Sequence, residues 1–205
     1  MQGHVSILSV SPEAAAMIAS GGRISTMDGT ADEIYANSLS AGQEKNEKLI
    51  GKVLSSGHTS VLEHCYVNLS FENVSVLAEQ FLIEFRLASF TVKSRRYVDF
   101  SKAGYVSPVF TANVQMAIFE RTVESLFGTY DVLEAAGVPK EDARFVLPYC
   151  FCSNFFCSMN ARELVHVMNE LAYGRGSRIP ELRALGESLF AQCEQQIPFL
   201  AVRKP

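Results

Sequence analysis

The sequence predicts an α+β fold, a small and mostly antiparallel sheet flanked by helices, in one domain spanning residues 1–205. Three observations carry that reading. Short runs such as "HVSILSV" and "CYVNLSFENV" alternate apolar and polar residues, as half-buried strands do. Longer runs repeat apolar residues every three or four positions, as helices do. The two kinds do not alternate regularly, which argues against a parallel βαβ arrangement. A length of 205 residues suits one domain and is enough to bury a core.

Taken in order, His4–Val10 is the first strand. "SPEAAAMIASG" follows as a helix with Ser11 as N-cap, Pro12 at the first helical position and Gly21 as the stop. Residues 25–43 are small and polar, and read as a loop with a short helical piece. In Glu44–Gly57, Leu49, Ile50, Val53 and Leu54 share one helical face, and Gly57 ends the helix. Cys65–Val74 sets Val67, Leu69 and Phe71 against Tyr66 and Asn68, a strand pattern. Ser75 then caps a helix running to Phe85, too apolar for a surface position and so placed centrally or at a subunit contact. Val114–Gly137 is the longest predicted helix, about six turns. A short helix closed by Pro148 comes next, then a buried strand in "YCFCSNFFCSMN". Asn160 and Glu163 have capping-box spacing at the start of another helix. The last helix runs from about Pro180 to Gln195.

The composition, 48% hydrophobic and 20% charged, is that of an ordinary globular chain, so no class is excluded by it alone. The net charge of -4 does exclude a general nucleic-acid binder, which needs basic excess. No apolar run reaches the roughly 18 residues of a membrane span, and the N-terminus lacks a signal-peptide pattern. The odd set of five cysteines (Cys65, Cys150, Cys152, Cys157, Cys193) has no Cys-x-x-Cys spacing. It reads as reduced, buried thiols of a cytoplasmic protein, and no metal site is expected.

Four segments hold polar residues that a plain core does not need. "GHTSVLEH" (Gly57–His64) places His58 and Ser60 just past a helix end. "LIEFRLASFTVKSRRY" (Leu82–Tyr97) crowds Arg86, Lys93, Arg95 and Arg96 behind an apolar helix. There Arg86, Ser89, Ser94 and Arg96 alternate with apolar residues, as the lining of an anion site would. "EDARFVLP" carries Arg144 on a short helix. "MNARELVHVMN" sets Arg162 and His166 at i and i+4, on one helix face. Each alone is equally a cap, a solvated basic turn or a polar stripe. Together they point to a phosphate-rich ligand, a nucleotide or dinucleotide cofactor. No P-loop or Gly-x-Gly-x-x-Gly supplies a cradle, and no cysteine or Ser-His-Asp set is placed as a nucleophile.

The order of "EKNEKLI…GHTSVLEH", "FRLASFTVKSRRY", "ARFVLP" and "MNARELVH" resembles that of the flavin-dependent thymidylate synthases, from about Arg23 to Phe190. The resemblance implies a homotetramer with FAD sites built from several subunits. It implies transfer of a one-carbon unit from methylenetetrahydrofolate to C5 of dUMP, with NADPH reducing the flavin. Flavin contacts would fall on His58, Ser60, Arg86, Asn160, Arg162 and His166, and dUMP contacts on Ser94, Arg96 and Arg144. The cofactor-binding signature Arg-His-Arg is Glu84-Phe85-Arg86 here, and the Asn-Glu pair after it is Thr91-Val92. A glutamine ahead of the signature is Phe81, and the arginine that polarises the uracil ring falls on Leu171. A later family segment survives only as Arg175. These replacements predict weak or absent dTMP formation. They keep two other readings open, a flavin-dependent enzyme acting on another nucleotide and a non-catalytic partner subunit of a mixed oligomer.

Overall fold

In the computed structural model, which describes residues 3–204, the three expected strands form, and a fourth that the sequence reading did not assign, over Ala88–Val92, joins them. These are β1 (His4–Val10), β2 (Tyr66–Ser75), β3 (Ala88–Val92) and β4 (Cys152–Asn160). They form one antiparallel sheet in the order β1-β2-β4-β3. In β2 the alternation is the expected one, with Val67, Leu69 and Phe71 fully buried while Tyr66 and Asn68 face outward.

The chain divides into two compact units. One comprises Phe71–Glu84 and Thr91–Phe156, with Gly3 and His4; the other comprises Val5–Ser70, Phe85–Phe90 and residues 157–204. The second unit holds α1 (Ala14–Arg23), α2 (Ala31–Ala41), α3 (Gln43–Ser55), α7 (Ala161–Ala172) and α8 (Pro180–Gln196). The first holds α4 (Val76–Ile83), α5 (Asn113–Ala135) and α6 (Lys140–Ala143), around a core of Val76, Phe100, Tyr130, Ala143 and Phe151.

Three details of the second unit differ from expectation. Helix α1 begins at Ala14, after Glu13 in the left-handed region at φ 52°, and Ser11 is not its cap. Ser11 instead accepts a hydrogen bond from the Tyr66 amide at 2.8 Å, which ties it to β2. Gly21 does not end the helix. A Cβ there would lie 3.2 Å from His64 and 3.5 Å from Val61, so the glycine serves close packing. Residues 31–41, read as mostly loop, are α2, whose capping box is built by Thr30 and Glu33. Arg23 joins all three helices, donating from Nη1 to Ser38 Oγ and to Asn46 Oδ1, both at 2.7 Å.

The first unit follows its sequence signals closely. The Ser75 hydroxyl accepts from the Ala78 amide at 3.0 Å and starts α4. This helix ends at Ile83, two residues before the expected Phe85. Helix α5 has the predicted length but buries only Val123 and Tyr130. No helix among the described residues is long and apolar enough to cross a membrane.

Candidate functional site

Asn160 starts α7: its carboxamide oxygen accepts from the Glu163 amide at 2.9 Å. The helix then splits its faces. Leu164, Val167, Met168 and Leu171 are buried, while Arg162 and His166, one turn apart, stay exposed. These two line a cleft of about 460 Å³ together with Thr59, Leu62, Leu87, Val165 and Lys204. Thr59 opens a 3-10 turn, Thr59–His64, which begins once Gly57 has turned the chain at φ 84°. That value suits glycine and few other residues. The exposed His58 and Ser60 flank Thr59, and the exposed Arg86 precedes Leu87. His58, Ser60, Arg86 and Asn160 do not themselves line the cleft.

Phe85, in the middle position of the signature, is buried and meets His166 edge-on, with ring centroids 5.5 Å apart. Arg162 is ion-paired with Glu63. All of these residues belong to the second unit, whereas Glu84, exposed just past α4, belongs to the first. An apolar wall of Leu62, Leu87 and Val165 beside Arg162 and Lys204 suits a flat ring that carries anionic groups.

A second hollow, of about 290 Å³, lies in the first unit and is lined by Val76, Arg95, Arg144, Phe145, Leu147, Tyr149 and Phe151. Arg144 is steadied by its Nε–H, which donates to the Glu141 carbonyl at 2.9 Å. Arg95 donates from Nη2 to Glu79 Oε2 at 2.5 Å, and the Ser153 hydroxyl donates to the same oxygen. Of the expected nucleotide residues, only Arg144 lines this hollow. Arg96 is exposed and donates to Glu141 Oε2 at 2.8 Å, and Ser94 Oγ accepts from the Arg96 amide at 3.2 Å.

Sequence reasoning left Arg95 in the basic cluster without a role. A turn, unlike a strand, has no period from which the direction of adjacent side chains can be read. The available signal was Glu79, a lone acid inside the apolar run of α4, because a buried carboxylate calls for a cation.

Leu171 is 0% exposed. A Cβ at Gly186 of α8 would come 2.8 Å from the Leu171 Cβ, so this leucine is part of the α7–α8 packing. Arg175 pairs through Nε with Glu170 at 3.3 Å. The cysteines offer no nucleophile at these positions: burial pushes Cys157 and Cys193 up to about 12 and Cys65 up to about 11. Burial also raises Cys150.

Fold and hollows together define a small α+β protein with two arginine-lined recesses, one in each unit. The profile of the thymidylate synthase complementing protein family matches residues 6–199. The chain belongs to that family, whose curated relatives are flavin-dependent thymidylate synthases. The Nitratidesulfovibrio vulgaris relative is 31% identical over 209 residues, covering 96% of this chain and 84% of that protein. The Geobacter sulfurreducens relative is 34% identical over 166 residues, covering 79% and 70%. Among solved structures, the UMP/dUMP methylase PolB from Streptomyces cacaoi, bound with 5-Br dUMP, shares the fold with a TM-score of 0.77. It is 21% identical, over 98% of this chain and 93% of that one.

Proposed function

We propose that this thymidylate synthase-like protein binds FAD and a uridylate and transfers a one-carbon unit from methylenetetrahydrofolate to C5 of dUMP or a relative, with NADPH as reductant. The observation that carries the reading is the family match across residues 6–199. The α7 cleft fits the cofactor chemically, with an apolar wall for a ring and Arg162 and Lys204 for phosphates. His58, Ser60, Arg86, Asn160, Arg162 and His166 would hold FAD, with Glu84 and Phe85 in the adjoining signature. Bound flavin supplies the hydride for the chemistry. The chain's own residues bind and orient: Arg162 offers charge to a phosphate, Phe85 fixes the His166 ring by contact, and Arg144 offers a guanidinium to the nucleotide phosphate. In this reading residues 1–205 act as one functional domain, in a cytoplasmic homotetramer.

One observation favours a second reading, of lowered activity, another nucleotide, or a silent partner subunit. Leu171 is sealed in the core and presents no cation to a uracil ring. Loss of one such electrostatic contact costs about 100- to 1000-fold in rate.

Titration of the purified protein with FAD and dUMP, separately and together, tests the proposal. Saturable FAD binding, a yellow preparation and dTMP formation well below that of a full-signature relative are expected. Arg86→Ala should weaken FAD binding about tenfold, the scale of one lost charge-assisted contact. Absence of flavin binding in the wild type would refute the reading.

A further inference from the structure

We infer that residues 201–204 form a strap that completes the α7 cleft: Asn169 aligns the strap, and Lys204 on it is the cation that lets the cleft accept an anionic cofactor. The inference rests on the FAD reading above and adds to it a positioning residue, Asn169, and a dependence on the strap.

Asn169 stands three residues past His166 and seven past Arg162, so it shares their face of α7 and lines the same cleft. It is 9% exposed, and its carboxamide bonds the strap at two points. Nδ2 donates to the Val202 carbonyl at 2.8 Å, and Oδ1 accepts from the Lys204 amide at 2.6 Å. Nδ2 also donates to the Val165 carbonyl at 2.7 Å, so the helix itself fixes the plane of the amide. Between the two points, the Arg203 side chain is fastened elsewhere. It donates to the Tyr173 hydroxyl at 2.5 Å, to Glu187 at 2.8 Å and to Glu194 at 3.2 Å. Its guanidinium carbon lies 4.3 Å from the centre of the Phe190 ring.

The strap buries little. Ala201 and Val202 are half-buried, and Arg203 and Lys204 are exposed. Hydrophobic stabilisation scales with the apolar area removed from water, so it contributes little to the course of this segment. Directional polar bonds set that course instead. Their result is that Lys204 lies at the cleft while its ammonium has no ion pair among the described residues.

The charges of the cleft give that ammonium its purpose. Arg162 is already paired with Glu63, and Glu163 lines the cleft as a second carboxylate. Without Lys204, two carboxylates face one guanidinium, and an incoming anion meets net repulsion. Lys204 restores the balance and is the uncommitted donor of the pair. An ammonium on a flexible stem, with three rotatable donors, suits a phosphate group.

Titration of the full chain with FAD, followed by flavin fluorescence, and with inorganic pyrophosphate, followed by calorimetry, tests this. Lys204→Gln should weaken FAD binding about fivefold, the upper range for one exposed charge contact, and Lys204→Arg should stay within about twofold of wild type. Asn169→Ala should lose about as much as Lys204→Gln. The double variant Asn169→Ala/Lys204→Gln should lose no more than about twofold beyond the larger single loss, because the anchor acts through the lysine. Thermal melting shows whether the Asn169 variant is folded. If it is not, Asn169→Gln replaces it, keeping the carboxamide but displacing it by one methylene. Unchanged FAD affinity in Lys204→Gln overturns the inference, as does a loss in Lys204→Arg equal to that in Lys204→Gln. Single losses that multiply in the double variant, or an Asn169 variant that binds FAD like wild type, overturn the positioning role. A wild type that leaves FAD unbound but binds pyrophosphate in a Lys204-dependent way overturns the flavin reading and leaves Lys204 in its role. A wild type that binds neither overturns both.

Discussion

Leu171 shows how much one residue's surroundings decide. On the resemblance, its position is where a ring-polarising arginine belongs, and putting the arginine back looks like a repair. The structure gives that side chain no route to solvent: it is 0% exposed and faces the close approach of Gly186. An arginine there would be a buried charge without a partner. Leu171→Arg is expected to destabilise the fold by roughly 3–5 kcal/mol, the scale of an uncompensated buried charge, whereas Leu171→Met should cost under about 1.5 kcal/mol. Urea unfolding of the two variants checks both values, and an Arg variant as stable as wild type would show that the position opens. The thiols are a residue-scale matter too. With Cys157 and Cys193 raised to about 12, their neutral form dominates far above neutral pH. At pH 8 the thiolate fraction is on the order of one in ten thousand, and thiolate is the reactive form. Thiol reagents should therefore leave Cys157 and Cys193 unlabelled in the folded protein and label them in denaturant, as mass spectrometry of digests would show. Rapid native labelling at either would contradict the assigned burial.

At the scale of elements, what was legible follows from how local each signal is. The capped start of α4 at Ser75 and that of α7 at Asn160 were readable because each cap is a side chain bonding an amide three residues on. Strand β2 was readable from its first half, where burial keeps period two from Tyr66 to Leu69 before the buried Ser70 breaks it. Helix α1 was misread at both ends for non-local reasons. Ser11 is drawn to Tyr66, 55 residues away, and Gly21 is chosen by the side chains of His64 and Val61. Helix α2 was read only as a short helical piece of a loop because only Ile34 and Ser38 are buried, too little for an apolar period, although Thr30 and Glu33 held the cap signal. For the site, the spacing of Arg162 and His166 on one face of α7 was legible, and the pairing of Arg95 with Glu79 was not. Since α2 has so small a buried face, its cap should matter: Thr30→Ala is expected to cost about 1 kcal/mol. Chemical denaturation measures it, and a cost near zero would mean that Arg23, bonded to Ser38, holds the helix without the cap.

At the scale of the whole molecule, α5 raises the largest question. A helix of 23 residues that buries only Val123 and Tyr130 is under-packed within its unit. Helices in folded proteins owe most of their stability to packing an apolar face. Here Val114 (65% exposed), Ile118 and Val132 (68% exposed) lie at spacings of four and fourteen residues, which keeps them near one side of the helix. Apolar surface presented in this way marks a contact with another surface, and we propose a second copy of the chain as its partner, in line with the homotetramer reading. Sedimentation at micromolar concentration should therefore show a species larger than the monomer. Val114→Lys/Ile118→Lys should shift it towards monomer. Both side chains are exposed, so the monomer's own stability should move by no more than about 0.5 kcal/mol for each. If FAD sites are completed across copies, the same double variant should also lose flavin binding in step with its loss of assembly. A wild type that sediments as a stable monomer would remove this account of α5, and a variant that keeps both its assembly and its flavin would place the contact elsewhere on the chain.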